Sequence, residues 1–126
     1  MNPGDIYWVE FARASGHEQS GRRPGVIVQD DSFGASLPLV IAIPLTTAER
    51  AGRFAGTVAI APDGNNGLRR TSFALVFQIR AIDRTLVTER LGCIAQEQLA
   101  EIHRQLDLLL GRATASRLAS GEEPVE

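Results

Sequence analysis

From Gly4-Asp5 onward apolar and polar positions alternate. Ile6 and Trp8 fall on one face and Tyr7, Val9 and Phe11 on the other, which predicts a strand over residues 5–11. Residues 12–23 are polar, carry Gly16 and Gly21, and predict a long loop. Pro24-Gly25 opens an apolar strand running from Val26 to Gln29, followed by turn chemistry over 30–36. A strand rich in β-branched residues is expected over 37–45, broken at Pro44, with Thr46 and Thr47 beginning a turn. Residues 48–55 predict a second long loop containing arginines, and residues 56–61 a strand. Pro62-Asp63-Gly64-Asn65-Asn66-Gly67 is the strongest turn signal in the chain. Residues 73–79 predict a further strand. Residues 80–94 predict a short helix or turn near Asp83, then a strand ending near Ile94.

One segment has helical periodicity. Leu99, Ile102, Leu106, Leu109 and Leu110 form a single apolar stripe between Gln96 and Leu110, with Glu97 and Glu101 near the positive end and Gly111 placed to end the helix. Five or six short strands followed by one amphipathic C-terminal helix predict an α+β fold, a small curled antiparallel sheet or barrel. The expected organisation is one domain over residues 1–111 and an acidic, flexible tail over 112–126.

Composition narrows the chemistry. A chain of 126 residues is long enough to bury a core without staples. No apolar run approaches the roughly 18 residues a membrane span needs, and MNPGDIYW has no signal-peptide character. The single Cys93, in the apolar run LGCIA, suits a buried thiol in a reducing cytoplasm. The net charge of −2 is unevenly spread: −1 over residues 1–60, +2 over 61–117 and −3 over the last nine. The body therefore has room for a local basic surface. All 13 basic residues are arginines, whose planar donor fork suits phosphate, although a codon preference accounts for the absence of lysine equally well.

Three clusters could carry chemistry. His17, Glu18, Gln19, Arg22 and Arg23 crowd GHEQSGRRPGVIVQ, residues 16–29. IPLTT, residues 43–47, ends an apolar strand on two hydroxyls able to meet a phosphate oxygen. QIRAIDR, residues 78–84, adds Arg80 and Arg84, with Asp83 expected to pair with one of them. His17 and His103 are too far apart to suggest a metal motif, and neither a phosphate loop nor a G-x-S-x-G elbow is present. RNA cleavage by its own 2′-OH needs a base, an acid and positive donors for the phosphorane, and a loop with Glu, His and two Arg can supply them.

GDIYWVEF, GHEQSGRRPGVIVQ, IPLTT, QIRAID and the C-terminal amphipathic helix occur in the order seen in MazF/PemK/Kid toxins, which the chain resembles over residues 3–111. The resemblance implies an SH3-like barrel of the CcdB/Kid/MazF type and a homodimer. It implies metal-independent, sequence-specific cleavage of single-stranded mRNA to 2′,3′-cyclic phosphate and 5′-hydroxyl ends, with no cofactor. The implied partner is a MazE-like antitoxin with an acidic C-terminal segment, and the implied location is the cytoplasm. Arg23 matches the family's central catalytic Arg, Thr46 its catalytic or phosphate-binding Thr, with Thr47 the alternative, and Glu18 a proposed general base. RNA-contact candidates are His17, Gln19, Arg22, Thr47, Arg53, Phe54, Gln78 and Arg80. Kid-like members carry a catalytic Arg and Asp where this chain has Leu75 and Phe77, so those roles do not transfer. Tyr7 and Trp8, pointing to opposite faces, leave at most one of them for base stacking. A gyrase-binding, non-catalytic toxin of CcdB type is the alternative, since the architecture is shared.

Overall fold

The computed structural model describes residues 1–11 and 21–112. Seven strands are present among them: β1 (Asp5–Phe11), β2 (Gly21–Ile27), β3 (Leu39–Thr46), β4 (Thr57–Ile60), β5 (Ser72–Leu75), β6 (Arg80–Asp83) and β7 (Val87–Cys93). A single turn of helix, α1 (Asp31–Gly34), follows β2, and α2 (Gln96–Leu109) closes the described chain. All pairings are antiparallel, in the order β4-β5-β3-β2-β1-β7, with β6 on β3 beside β5. The path has two ends, so the ring of hydrogen bonds is not closed. The sheet nevertheless curls, because Val58 and Ile60 of β4 share one core with Ile6, Val26, Ile43, Ile94 and Ile102 of α2.

The alternation read in the first strand sorts two cores. Ile6 joins the cluster under α2, while Val9 and Phe11 join Ile27, Val40, Ala42 and Ile82 on the opposite face. Gln98 accepts a hydrogen bond from the Ala95 N–H at 3.0 Å, relieving one unpaired donor at the start of α2. Gly111, at φ +75°, ends the helix in the left-handed region. The predicted stripe is divided: Ile102 is fully buried, Leu99 and Leu106 pack partly, and Leu109 and Leu110 lie exposed. Together with Leu108 and the tilted ring pair Phe54–Phe77, 6.1 Å apart, they leave an apolar surface beside a groove of about 260 Å3.

Several expectations are corrected. The second strand begins at Gly21 rather than Val26, so Arg22 and Arg23 lie on a strand and not in a loop. Polarity alone hid this, because β1 pairs with polar and apolar residues alike through its backbone. Pro44 does not break β3; it sits in the last pair of the β2–β3 ladder, opposite Gly25. The strand expected over 73–79 ends at Leu75, and Val76–Gln78 form a 3₁₀ turn. Residues 49–53 form another such turn rather than an open loop. Cys93 is partly exposed rather than buried. Asp83, expected to pair with an arginine, accepts instead from the backbone N–H and hydroxyl of Thr85, while Arg84 donates to the carbonyls of Leu37 and Gly34.

Candidate active site

Arg23 stands opposite Val9 in the β1–β2 ladder, so it shares a face with Gly25 and Ile27. Gly25 is needed for what lies across that face. A Cβ there would stand 3.0 Å from Cζ of Phe11 and 3.3 Å from a methyl of Val9. Glycine thus lets the Phe11 ring lie over the strand. Arg80, the first residue of β6, pairs with Ala42, which pairs with Ile27, so it rises on the same face. Its guanidinium carbon sits 4.9 Å from the centroid of the Phe11 ring. Two arginines from strands far apart in sequence therefore rise on one face, Arg80 over the Phe11 ring and Arg23 within reach of its charge.

Their proximity has an electrostatic consequence. Burial, and then the positive charge of Arg80, lower the Arg23 pKa from its ordinary value. Both causes disfavour the bare cation and favour an anion bound beside it. The β2–β3 ladder ends at Gly25 and Pro44, two residues short of Arg23 on one strand and of Thr46 on the other. Thr46 pairs with Phe73 on its other side. Its hydroxyl oxygen accepts the Ala48 N–H at 3.2 Å, which leaves the hydroxyl proton to donate elsewhere. Arg23, Arg80 and Thr46 all carry donors of the kind a phosphate oxygen accepts.

The other candidates are distributed around this centre. Arg22 points to the opposite face of β2, where it stacks 4.4 Å over Trp8 and approaches Glu89 at 4.0 Å. It is not aimed at the point where Arg23 is. Thr47 follows Thr46 and is exposed. Arg53 ends the 3₁₀ turn Glu49–Arg53, and Phe54, which caps it, is 57% exposed. Gln78 ends the turn just before Arg80. His17, Glu18 and Gln19 lie outside the described residues. Leu75 is buried and Phe77 packs against Phe54, so apolar contacts occupy both positions. Among the described residues no group of His, Cys, Asp and Glu could hold a metal ion.

Sequence reasoning missed two features. Phe11 reads as ordinary strand hydrophobicity, and only the Gly25 and Arg80 neighbours reveal its role. A groove of about 610 Å3 is lined by Thr47, Glu49, Arg70, Thr71 and Phe73, and of these only Thr47 is marked by a motif. The pair Arg69-Arg70 before an apolar strand was the available signal.

The family profile described as PemK-like, MazF-like toxin of type II toxin–antitoxin system matches residues 2–110. The chain belongs to the PemK/MazF family. Endoribonuclease MazF of Staphylococcus saprophyticus is 30% identical over 114 residues, covering 90% of this chain and 94% of that protein. Endoribonuclease toxin MazF of Escherichia coli K12 is 28% identical over 109 residues, covering 86% and 92%. Among solved structures, MazF from Deinococcus radiodurans superposes with a TM-score of 0.74 at 28% identity, covering 88% of this chain and 96% of that one. A MazE–MazF complex from the same organism matches with a TM-score of 0.66 at 26% identity and the same coverage. The open, curled sheet with its C-terminal helix is therefore the MazF fold, and the Arg23–Thr46 face lies within the matched region. No helix among the described residues is long and apolar enough to cross a membrane.

Proposed function

We propose that this chain is the endoribonuclease toxin of a type II toxin–antitoxin pair and cleaves single-stranded RNA where Arg23, Arg80 and Thr46 converge. The reading is carried by Arg23 and Arg80, which rise on one face close enough that the charge of Arg80 acts on Arg23. The substrate's 2′-oxygen attacks the adjacent phosphorus, forming one P–O bond as the bond to the 5′-oxygen breaks. Glu18 takes the 2′-OH proton. Arg23 and Arg80 hold the two negative charges of the phosphorane and Thr46 donates to one of its oxygens. Arg23 is assigned the proton delivered to the departing 5′-oxygen. The products are a 2′,3′-cyclic phosphate and a 5′-hydroxyl. These side chains supply the positive charge themselves, so the reaction needs no metal.

The toxin domain spans residues 1–111, with 112–126 as an appended tail, and works in the cytoplasm as a homodimer. Exposed Phe77, Leu108, Leu109 and Leu110 give it apolar surface to bury on pairing. His17, Gln19, Arg22, Thr47, Arg53, Phe54 and Gln78 contact the flanking RNA. The antitoxin neutralises the site with an acidic segment laid along the same arginines. Purified protein should cut single-stranded RNA in excess EDTA, and Arg23→Ala should abolish cutting while the circular dichroism spectrum is unchanged. Undiminished cleavage by that variant refutes the assignment, as does growth arrest with RNA left intact.

A further inference from the structure

The groove beside Thr46 has a composition the catalytic reading does not use. It is lined by Thr47, Glu49, Arg70, Thr71 and Phe73, and its volume of about 610 Å3 lies within the range of small-molecule sites. Phe73 is the β5 partner of Thr46, so the groove begins one strand away from that residue. The Phe73 ring is held from behind by the backbone at Gly52, where a Cβ would stand 2.9 Å from Cε1. It is only partly buried, and offers a fixed aromatic face. Glu49 and Arg70 are exposed, and neither side chain is engaged by a described residue. Arg50, Arg53 and Arg69 are neighbours of Glu49 and Arg70 along the same two segments. An acid on the same segment as Arg50 and Arg53 weakens attraction to a phosphate backbone, so it needs a reason of its own.

Resting on the cleavage reading above, we infer that this groove is the specificity subsite for a guanine base next to the cut phosphate. The base stacks on Phe73. The two oxygens of the Glu49 carboxylate accept from the adjacent N1–H and N2–H donors of guanine. The Arg70 fork donates to O6 and N7 on the other edge. Adenine and cytosine place a ring nitrogen lone pair beside their single amino donor, against the second carboxylate oxygen. Uracil flanks its one N–H with two carbonyl oxygens. Only guanine offers two neighbouring donors, so the carboxylate discriminates by repulsion as well as attraction.

The test maps 5′-hydroxyl ends after cleavage of a randomised single-stranded RNA by the wild type, Glu49→Gln, Arg70→Ala and Arg23→Ala. The wild type should require guanine at one position flanking the cut. Glu49→Gln should lower that preference about 10- to 100-fold while still cutting. Replacing that guanine by inosine, which lacks the N2 amino group, should slow the wild type about tenfold and leave Glu49→Gln unaffected. Arg70→Ala should also relax the preference. Loss of cutting in Arg23→Ala, with base preference unchanged in Glu49→Gln, overturns the subsite and leaves the catalytic reading standing. A Glu49-dependent preference for any other base overturns the guanine assignment. Full cutting by Arg23→Ala overturns the catalytic reading beneath it.

Discussion

Arg23 is partly withdrawn from water and faces the positive charge of Arg80, and the two together lower its pKa. Such a residue serves binding at some expense to the empty fold. Arg23→Ala should reduce kcat by about 100- to 1,000-fold without lowering the thermal midpoint, a combination read by single-turnover kinetics alongside calorimetry. Arg23→Lys should restore only part of the rate, because a point charge lacks the fork that grips two phosphate oxygens. Gly25 shows the same coupling of packing and chemistry. Its replacement by Val must displace Phe11 or Val9, at about 1–3 kcal/mol in a denaturant titration, and should weaken RNA binding as well, since Arg80 rests on the displaced ring.

At the scale of elements, two features predicted by local chemistry can be weighed. The turn signal at 62–67 is held by Asn66, which is fully buried. Its carbonyl accepts from the N–H groups of Asp63 and Leu68 and its amide donates to the carbonyl of Ala61. Asn66→Ala leaves these backbone groups unpaired and should cost about 1–3 kcal/mol, measured by urea unfolding. On α2, Arg104 and Gln105 donate to the Glu101 carboxylate and hold its pKa down to about 2 from 4.5. A carboxylate depressed in the folded state stabilises it above the unfolded pKa and loses that contribution as pH falls toward the folded one. The Glu101 contribution should therefore be intact at neutral pH and disappear between about pH 4.5 and 2. The group is exposed, so the effect is small and best seen as a flatter acid limb in Glu101→Gln.

For the whole molecule, a net charge of −2 conceals a basic band. It comprises Arg23 and Arg80, then Arg50 and Arg53 on the turn that follows Thr46, and Arg69 and Arg70, which precede β5, the strand paired with Thr46. Affinity for single-stranded RNA should fall steeply with salt. Arg50→Ala with Arg69→Ala should make log K against log salt shallower by roughly 0.7 for each phosphate that is no longer neutralised. A slope unchanged in that double variant would mean the band does not touch RNA. The acid tail and the band have opposite charge, and their separation along the chain is visible in the sequence alone.

What the sequence determined by itself was whatever depends on neighbours in the chain. Period-two alternation placed Asp5–Phe11 and sorted Ile6 from Val9 and Phe11; helical spacing and Gly111 bounded α2. The motif residues Arg23 and Thr46 were also legible, because their order along the chain marks the family. Tertiary structure decided the rest. Polar Gly21–Arg23 became strand because β1 supplied the ladder, and alternation then turned Arg22 away from Arg23. Arg80 came within electrostatic reach of Arg23 and settled over Phe11, whose ring lies against the bare Cα of Gly25. Glu49, Arg70 and Phe73 became one groove because β3 and β5 pair at Thr46 and Phe73. Each of these depends on register between strands distant in sequence. Register is set by the packing of both faces at once, which no local pattern contains.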